Sequence, residues 1–241
     1  MKHVIKIMDT VDELAEYFAS LLVFRIAGTS GNQPFSWLLS GGNTPQLFFR
    51  KIATNFRDSI DWNRVQIFWG DERCVGPGDE ESNYKMAREN LLDHIPIPAS
   101  NVFRIRGESN PADEAIRYGE LFTRNMRPFT GIPQADLVML GMGEDGHTAS
   151  IFPACIDIFK SNALFEASEH PVTKQKRITA TGRVINHAKM VVMLAPGEAK
   201  APRVAQILNR LDGWDRLPAA HVKPENGEMI WLLDREGSAT K

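Results

Sequence analysis

The sequence has few cysteines, no long apolar run and no excess of charge of one sign, and each of these absences excludes a class of protein. Its two cysteines, Cys74 and Cys155, form no Cys-x-x-Cys motif and lie in no histidine cluster with zinc spacing. Neither a disulfide framework nor a metal centre is therefore predicted. The net charge of −2, with acidic and basic residues interspersed, provides no electrostatic footprint for nucleic acid.

No segment approaches the ~18 consecutive apolar residues of a membrane-spanning helix. The N-terminal segment has no apolar run of signal-peptide length, and no repeat, low-complexity tract or Ser/Gly-rich linker interrupts the chain. We therefore predict a cytoplasmic protein that forms a single domain over residues 1–241 and binds neither nucleic acid nor a membrane. A chain of 241 residues is long enough to bury a hydrophobic core without disulfide or metal support.

Short apolar, β-favouring segments alternate with amphipathic helical patterns along the chain. The predicted strands are residues 35–39, 65–69, 136–140, 189–194 and 228–233. The predicted helices are residues 11–24, 45–53, 82–92, 111–126 and 199–211. Because several strands are apolar almost throughout, they suit a parallel sheet that is covered on both faces. The pattern predicts a doubly wound, mostly parallel α/β fold, in which ligands bind at the carboxyl ends of the strands.

The loop Ser40–Pro45 follows the first of these strands and opens a helix, for which Thr44 and Pro45 provide a start signal. Gly41 and Gly42 leave their backbone N–H groups unhindered, and the helix N-terminus adds further donors and partial positive charge. This combination predicts an anion site of the kind that holds phosphate. An ordinary turn with a helix cap fits the same residues.

Three charged residues, Asp71, Glu72 and Arg73, follow the strand that ends at Trp69. Arginine binds phosphate or carboxylate in a bidentate manner, and a neighbouring carboxylate can fix its orientation. The loop is therefore a candidate part of the site, although a surface cluster of salt bridges has the same composition. Cys74 comes next, but no histidine signature supports it as a nucleophile.

A third loop, Gly141–Ser150, contains three glycines in six positions and presents Asp145 and His147 on a sharply turning backbone. Histidine is the usual general base for activating water, and a nearby carboxylate can orient it. The alternative is a histidine that only makes a structural hydrogen bond. Later in the chain, Lys200 follows another strand-to-helix junction, where it can reach a phosphate or simply remain solvated.

Six segments, in the right order and with suitable spacing, resemble the 6-phosphogluconolactonase family. The match runs from about Phe35 to Asp234. The segments are Leu39–Pro45, Trp69–Arg73, Ser82–Tyr84, the glycine-rich loop with its continuation to Pro153, Arg177–Thr179 and Gly197–Lys200. Any one of these motifs is weak evidence, whereas the six together are specific.

The resemblance implies a fold shared with glucosamine-6-phosphate deaminases and ribose-5-phosphate isomerases. It also implies hydrolysis of 6-phospho-D-glucono-1,5-lactone to 6-phosphogluconate, the second step of the oxidative pentose phosphate pathway. The partner would be this small sugar-phosphate lactone, no cofactor is expected, and the protein would be a monomer or weak homodimer. The implied catalytic residues are His147, Asp145, Arg73 and Asp71. The implied substrate- and phosphate-binding residues are Gly41, Gly42, Asn43, Thr44, Arg73, Lys200 and Arg177.

Two points stay open within this resemblance. Asn43 stands where the family more commonly has serine, and the Arg177 guanidinium could enter the pocket or support Asp145 from behind. A deaminase acting on glucosamine 6-phosphate is the competing enzyme, but it relies on a glutamate shortly after the third loop, and no carboxylate follows here until Asp157. A catalytically silent sugar-phosphate sensor would need the phosphate loop but no poised base.

Overall fold

The structure, a computed structural model, describes residues 2–29 and 33–238. The strands are Lys2–Met8 (β1), Phe35–Leu39 (β2), Val65–Trp69 (β3), Asp71–Arg73 (β4), Pro128–Phe129 (β5), Ile132–Pro133 (β6), Leu137–Gly141 (β7), Phe165–Glu169 (β8), Lys176–Ala180 (β9), Met190–Leu194 (β10) and Glu228–Asp234 (β11). The α-helices are Val11–Ala27 (α1), Asn43–Lys51 (α2), Asn83–Asn90 (α3), Pro111–Asn125 (α4), Gly182–Ile185 (α5) and Ala201–Leu208 (α6).

The main sheet has six strands in the order β1-β11-β10-β7-β2-β3, and every neighbouring pair is parallel. Every residue of β2 and of β10 is buried, so both faces of the sheet are covered. This arrangement confirms the predicted wound, mostly parallel α/β fold. Among the described residues, no helix is long and apolar enough to cross a membrane.

The predicted boundaries of β2 and β3 are correct, and those of β7, β10 and β11 differ by one residue at one or both ends. The predicted start of α2 is wrong, since the helix begins at Asn43 and Gly42 precedes it with φ +97°. That backbone conformation suits glycine and turns the chain directly into the helix. Pro45 is then the third helical residue, where its missing N–H removes no intrahelical hydrogen bond.

Two predicted helices also differ from the structure in their extent. After α2 the chain continues as a π-helical turn over Ile52–Phe56. The last helix is shorter than residues 199–211, because Glu198–Lys200 form a 3₁₀ turn and α6 begins at Ala201. Lys200 therefore lies at the entrance of α6, at the carboxyl end of β10.

Two further features position the site and were missing from the prediction. The first is β1, which pairs with β11 from the other end of the chain. The second is a small antiparallel sheet, β4-β9-β8, which begins where β3 ends. Because Gly70 donates its N–H to the carbonyl of Leu39 and accepts from the N–H of Ala180, the small sheet is tied to the carboxyl edge of the main sheet.

Candidate active site

A cleft lies at the carboxyl ends of β2 and β7, and the three loops singled out from the sequence line it. It contains about 620 Å³ of space, including its open mouth. Its walls include Gly41, Gly42, Asn43, Thr44, Asp71, Arg73, His147, Arg177 and Lys200. Asp145 lies behind His147 rather than on the wall. The structure thus brings together all ten residues predicted from the sequence.

His147 and Asp145 form a tight hydrogen-bonded pair. The Nδ1 atom of His147 is 2.6 Å from Oδ1 of Asp145, and the same oxygen accepts the backbone N–H of His147 at 3.1 Å. Since a carboxylate only accepts hydrogen bonds, Nδ1 carries the proton and Nε2 is left as the basic nitrogen. The cleft therefore receives an oriented imidazole that can take up a proton.

The glycines of this loop make room for the pair. A Cβ atom at Gly143 would lie 2.2 Å from the imidazole ring and 2.8 Å from Oδ1 of Asp145. Gly146 has φ +82°, and its tight turn is closed by its N–H donating to the carbonyl of Gly143. The turn places the Asp145 carboxylate beneath the ring two residues later. Gly143 is thus required by a close approach and Gly146 by its backbone conformation.

The surroundings of the pair favour an ionised Asp145. Partial burial acts to raise the pKa of Asp145, but the hydrogen bond and charge of His147 outweigh it, so this pKa lies below its usual value.

The imidazole packs against the ring of Phe152, with 4.8 Å between the ring centroids. Phe152 also contacts the Arg177 guanidinium, which lies 5.9 Å from the centre of its ring. Packing and charge therefore hold the imidazole in one orientation.

Asp71 is a buried carboxylate on the wall of the cleft, 5% exposed. Its Oδ2 accepts a 2.6 Å hydrogen bond from the Ser150 hydroxyl, and its backbone carbonyl accepts from the Asn83 amide at 2.9 Å. One carboxylate oxygen is thereby fixed. Because Asp71 makes no described ion pair, the second oxygen can accept a hydrogen bond from a ligand hydroxyl.

Arg73 and Arg177 occupy directly opposite positions on the antiparallel strands β4 and β9. The Nε atom of each is buried without a hydrogen-bond partner. Arg73 donates to the Glu81 backbone carbonyl, and Arg177 donates to Oε1 of Gln175 at 2.9 Å, but no described carboxylate forms an ion pair with either. Arg177 is among the residues that line the cleft. These two adjacent positive charges suit an anionic ligand.

Lys200 adds a third cation to the cleft, and it forms no ion pair with any described carboxylate. Burial lowers the pKa of its ammonium group, while the more distant Glu144 and Asp234 act in the opposite direction. Asp234 itself is occupied by the backbone N–H groups of Gly197 and Gly237, at 2.9 and 2.7 Å. Lys200 is thus a half-buried cation on the wall of the cleft.

The loop Gly41–Thr44 provides backbone donors opposite these cations. No side chain caps the N-terminus of α2, and its first turn contains no acidic residue, so its N–H groups and partial positive charge face the cleft. Gly41 has no room for a side chain, since a Cβ there would lie 1.9 Å from Oδ1 of Asn83. Asn43 is exposed at the first helical position and has no described side-chain hydrogen bond.

Several residues that support the site had no assigned role before the structure. Glu72 points away from the cleft and accepts hydrogen bonds from the N–H groups of Arg73, Asn83 and Tyr84 and from the Ser82 hydroxyl. Burial raises the pKa of Glu72, and these donors partly offset the shift. The motif Ser82–Tyr84 was the available signal, although only the fold shows that Asn83 packs against Gly41. In residues 2–29 and 33–238, no group of three His, Cys, Asp or Glu side chains is placed to hold a metal ion.

Comparisons with known proteins agree with the family that the sequence motifs indicate. Residues 9–231 match the family model described as glucosamine-6-phosphate isomerases/6-phosphogluconolactonase. The chain belongs to this family. A 6-phosphogluconolactonase of Treponema pallidum is 39% identical over 81% of each chain, and one of Haemophilus influenzae is 38% identical over 93% of this chain and 92% of its own.

Solved structures of the family have the same architecture. The 6-phosphogluconolactonase from Trypanosoma brucei superimposes with a TM-score of 0.84 at 29% identity and covers 98% of this chain and 97% of its own. A monomeric glucosamine-6-phosphate deaminase covers all of both chains with a TM-score of 0.81 at 21% identity. The second likeness concerns the fold alone, and it confirms the predicted relation to the deaminase fold.

Proposed function

We propose that this protein hydrolyses 6-phospho-D-glucono-1,5-lactone to 6-phosphogluconate in the oxidative pentose phosphate pathway. One observation carries the proposal: the His147–Asp145 pair faces a cleft lined by three cations that form no ion pair with a carboxylate in the described part of the chain. The base suits a neutral reacting group, and the positive charge elsewhere in the cleft suits a phosphate attached to the same molecule. The named lactonases among the relatives support the same reaction.

In the proposed reaction, Nε2 of His147 takes a proton from water while the water oxygen attacks the lactone carbonyl carbon. The carbonyl π electrons move to its oxygen, giving a tetrahedral oxyanion that a neighbouring guanidinium stabilises. When the oxyanion collapses, the ring C–O bond breaks and the leaving oxygen takes the proton back from His147. Asp145 keeps the imidazole in the required tautomer and stabilises its cationic form.

The remaining residues bind and orient the substrate. The N–H groups of Gly41–Thr44, together with Arg73 and Lys200, hold the phosphate, and Arg177 completes the positive wall. The free oxygen of Asp71 accepts a hydrogen bond from a sugar hydroxyl. Because the phosphate does not react, its binding energy can position the carbonyl against the attacking water. Loss of a phosphate ligand is therefore expected to reduce turnover as well as affinity.

The deaminase and the silent sensor are less well supported by the same residues. The position after the third loop that would carry a glutamate is continued by Thr148–Pro153, and the Ser150 hydroxyl is engaged with Asp71. A sensor needs no oriented base, yet Gly143 leaves space for the His147–Asp145 pair and little else. Both features favour lactone hydrolysis.

The direct test offers the purified protein 6-phosphogluconolactone and, separately, glucosamine 6-phosphate. Acid release is followed for the first substrate and ammonia release for the second. For the wild-type protein we expect acid release well above the spontaneous rate and no ammonia. For His147→Asn we expect turnover to be at least about a hundredfold lower, with an unchanged melting temperature. Ammonia release would favour the deaminase, and phosphate binding without either reaction would favour the sensor.

We further propose that residues 1–241 form one domain, which the pairing of β1 with β11 from opposite ends of the chain supports. The cytoplasmic location and the monomer or weak homodimer expected from the sequence stay predictions. Size-exclusion chromatography coupled to light scattering would determine the oligomeric state.

A further inference from the structure

Gln175 connects two cleft residues that come from different loops. Its Oε1 accepts a hydrogen bond from Nη2 of Arg177 at 2.9 Å, and its Nε2 donates to Oε2 of Glu81 at 2.8 Å. The backbone carbonyl of Glu81 in turn accepts from the Arg73 guanidinium. A chain of contacts, Arg73–Glu81–Gln175–Arg177, therefore joins the two opposed arginines outside the space that a ligand would fill.

The local backbone holds Gln175 in place for this contact. It lies at the end of the turn between β8 and β9, where its carbonyl accepts the N–H of His170 at 2.9 Å. The turn is closed by Lys174, whose N–H donates to the carbonyl of His170 and whose φ is +60°. Two residues further along the chain, Arg177 lies in β9 and is in register with Arg73. The amide thus reaches Arg177 from a fixed point in the turn that leads into that strand.

The chemistry of the contact matters as much as its position. An amide oxygen orients a guanidinium but carries no net charge, whereas a carboxylate at the same place would form an ion pair with it. The only carboxylate in the network, that of Glu81, contacts the amide nitrogen of Gln175 and forms no described ion pair with Arg177. The negative charge is kept one side chain away from the cation.

We propose that Gln175 is a positioning residue that fixes the Arg177 guanidinium for a phosphate-bearing substrate while leaving its charge unneutralised. The identity of the substrate in this inference rests on the proposed function. The anionic character of the ligand rests on the contacts alone. Gln175 does not line the cleft, so it acts through Arg177. It would act mainly on the affinity of the cleft for anions and less on turnover.

The sharpest test exchanges the two polar partners. In the double variant Glu81→Gln/Gln175→Glu, the net charge of the protein is unchanged and an amide–carboxylate hydrogen bond remains available, but the carboxylate now faces Arg177. We expect the Kd of inorganic phosphate, measured by calorimetry near neutral pH, to rise at least about tenfold. Glu81→Gln alone is the matched control, and its Kd is expected to stay within about threefold of wild type.

Removal of the amide tests positioning without adding charge. Gln175→Ala is expected to raise the Kd of phosphate and the KM for the lactone about threefold to tenfold, with a smaller fall in kcat and an unchanged melting temperature. A purely structural role of Gln175 would instead lower kcat together with the melting temperature in Gln175→Ala. It would also give the charge-exchanged double variant and its control the same Kd of phosphate. Wild-type phosphate affinity in the exchanged variant, or in Gln175→Ala, would overturn the proposal.

These measurements separate the inference from the proposed function. If wild type binds phosphate and the variants follow the expected order, but no lactone is hydrolysed, only the proposed function fails. If wild type hydrolyses the lactone and the variants bind phosphate as tightly as wild type does, only the role of Gln175 fails.

Discussion

Arg73 and Arg177 face each other across the antiparallel strands β4 and β9, and each buries an Nε atom that has no hydrogen-bond partner. Like charges at directly opposite strand positions destabilise a sheet by roughly 0.2–1 kcal/mol. Burial also acts to lower the pKa of Arg177, although Asp71 opposes this shift. An anion placed between the two guanidiniums would relieve the repulsion that the unliganded fold retains.

Substitution of Arg177 is therefore expected to stabilise the unliganded protein and weaken ligand binding. We predict that Arg177→Met raises the melting temperature in phosphate-free buffer and raises the Kd of inorganic phosphate about tenfold or more. Thermal unfolding with and without phosphate measures both effects, because a ligand that binds only the folded state raises its stability with concentration.

The matched control for this experiment is Arg124→Met. Arg124 lies on α4 with its side chain 65% exposed, and its contact with Glu120 is long, at 3.9 Å. Loss of this cation should leave phosphate binding unchanged and alter the melting temperature little. A lower phosphate-free melting temperature in Arg177→Met than in wild type would contradict the idea of a repulsive pair.

The strands of the main sheet and the loops that follow them could be predicted from sequence, because burial on both faces makes the strands continuous apolar runs. β2 and β3 illustrate this, since their predicted bounds match the structure. Glycine-rich turns at the ends of such strands mark the site, because parallel topology brings those ends together. The candidate residues could therefore be named before their contacts were known.

The small sheet and its contacts could not be predicted, because they depend on tertiary pairing rather than on periodicity. β4 has only three residues, all charged, and it is a strand because β9 pairs with it. The opposition of Arg73 and Arg177 depends on that register, and a shift by one residue would move a side chain to the other face. β1 was missed for a different reason: it is an edge strand that exposes apolar side chains, with Ile5 and Ile7 46% and 49% exposed, so its apolar residues do not mark a buried face.

The division of labour between Asp145 and His147 leads to a second prediction. If Asp145 orients the imidazole and does not itself accept the proton, Asp145→Asn should lower kcat about tenfold to a hundredfold, less than His147→Asn does. The Kd of phosphate should stay within about twofold of wild type, because Asp145 does not line the cleft. Asp157→Asn is a matched control, as its side chain is 94% exposed. An equal loss of kcat in the Asp145 and His147 variants would contradict this division of roles, because the two residues would then act as a single catalytic unit.

The close approach at Gly143 gives a third prediction. In Gly143→Ala the new methyl group would lie 2.2 Å from the His147 ring, so the ring must move away from Asp145. We expect kcat to fall at least about tenfold, with little change in phosphate affinity. Gly76→Ala is the control, because a Cβ there meets no atom within 4 Å. Wild-type turnover in Gly143→Ala would show that the observed position of the imidazole is not needed.

Burial of Lys200 gives a pH dependence whose direction can be stated. Its pKa is lowered, so as pH rises the ammonium loses its proton earlier than an ordinary lysine does, and phosphate affinity should fall over a pH range that lies below the ordinary lysine pKa of 10.5. The Cys74 thiol does not interfere, since burial raises its pKa to about 11.

In Lys200→Arg the guanidinium stays charged, so the Kd of phosphate should vary much less over this range. Lys160→Arg, at a side chain 75% exposed, should keep the wild-type profile. If Lys200→Arg instead keeps the full wild-type loss of affinity, another group controls anion binding, and Lys200 is not a phosphate ligand.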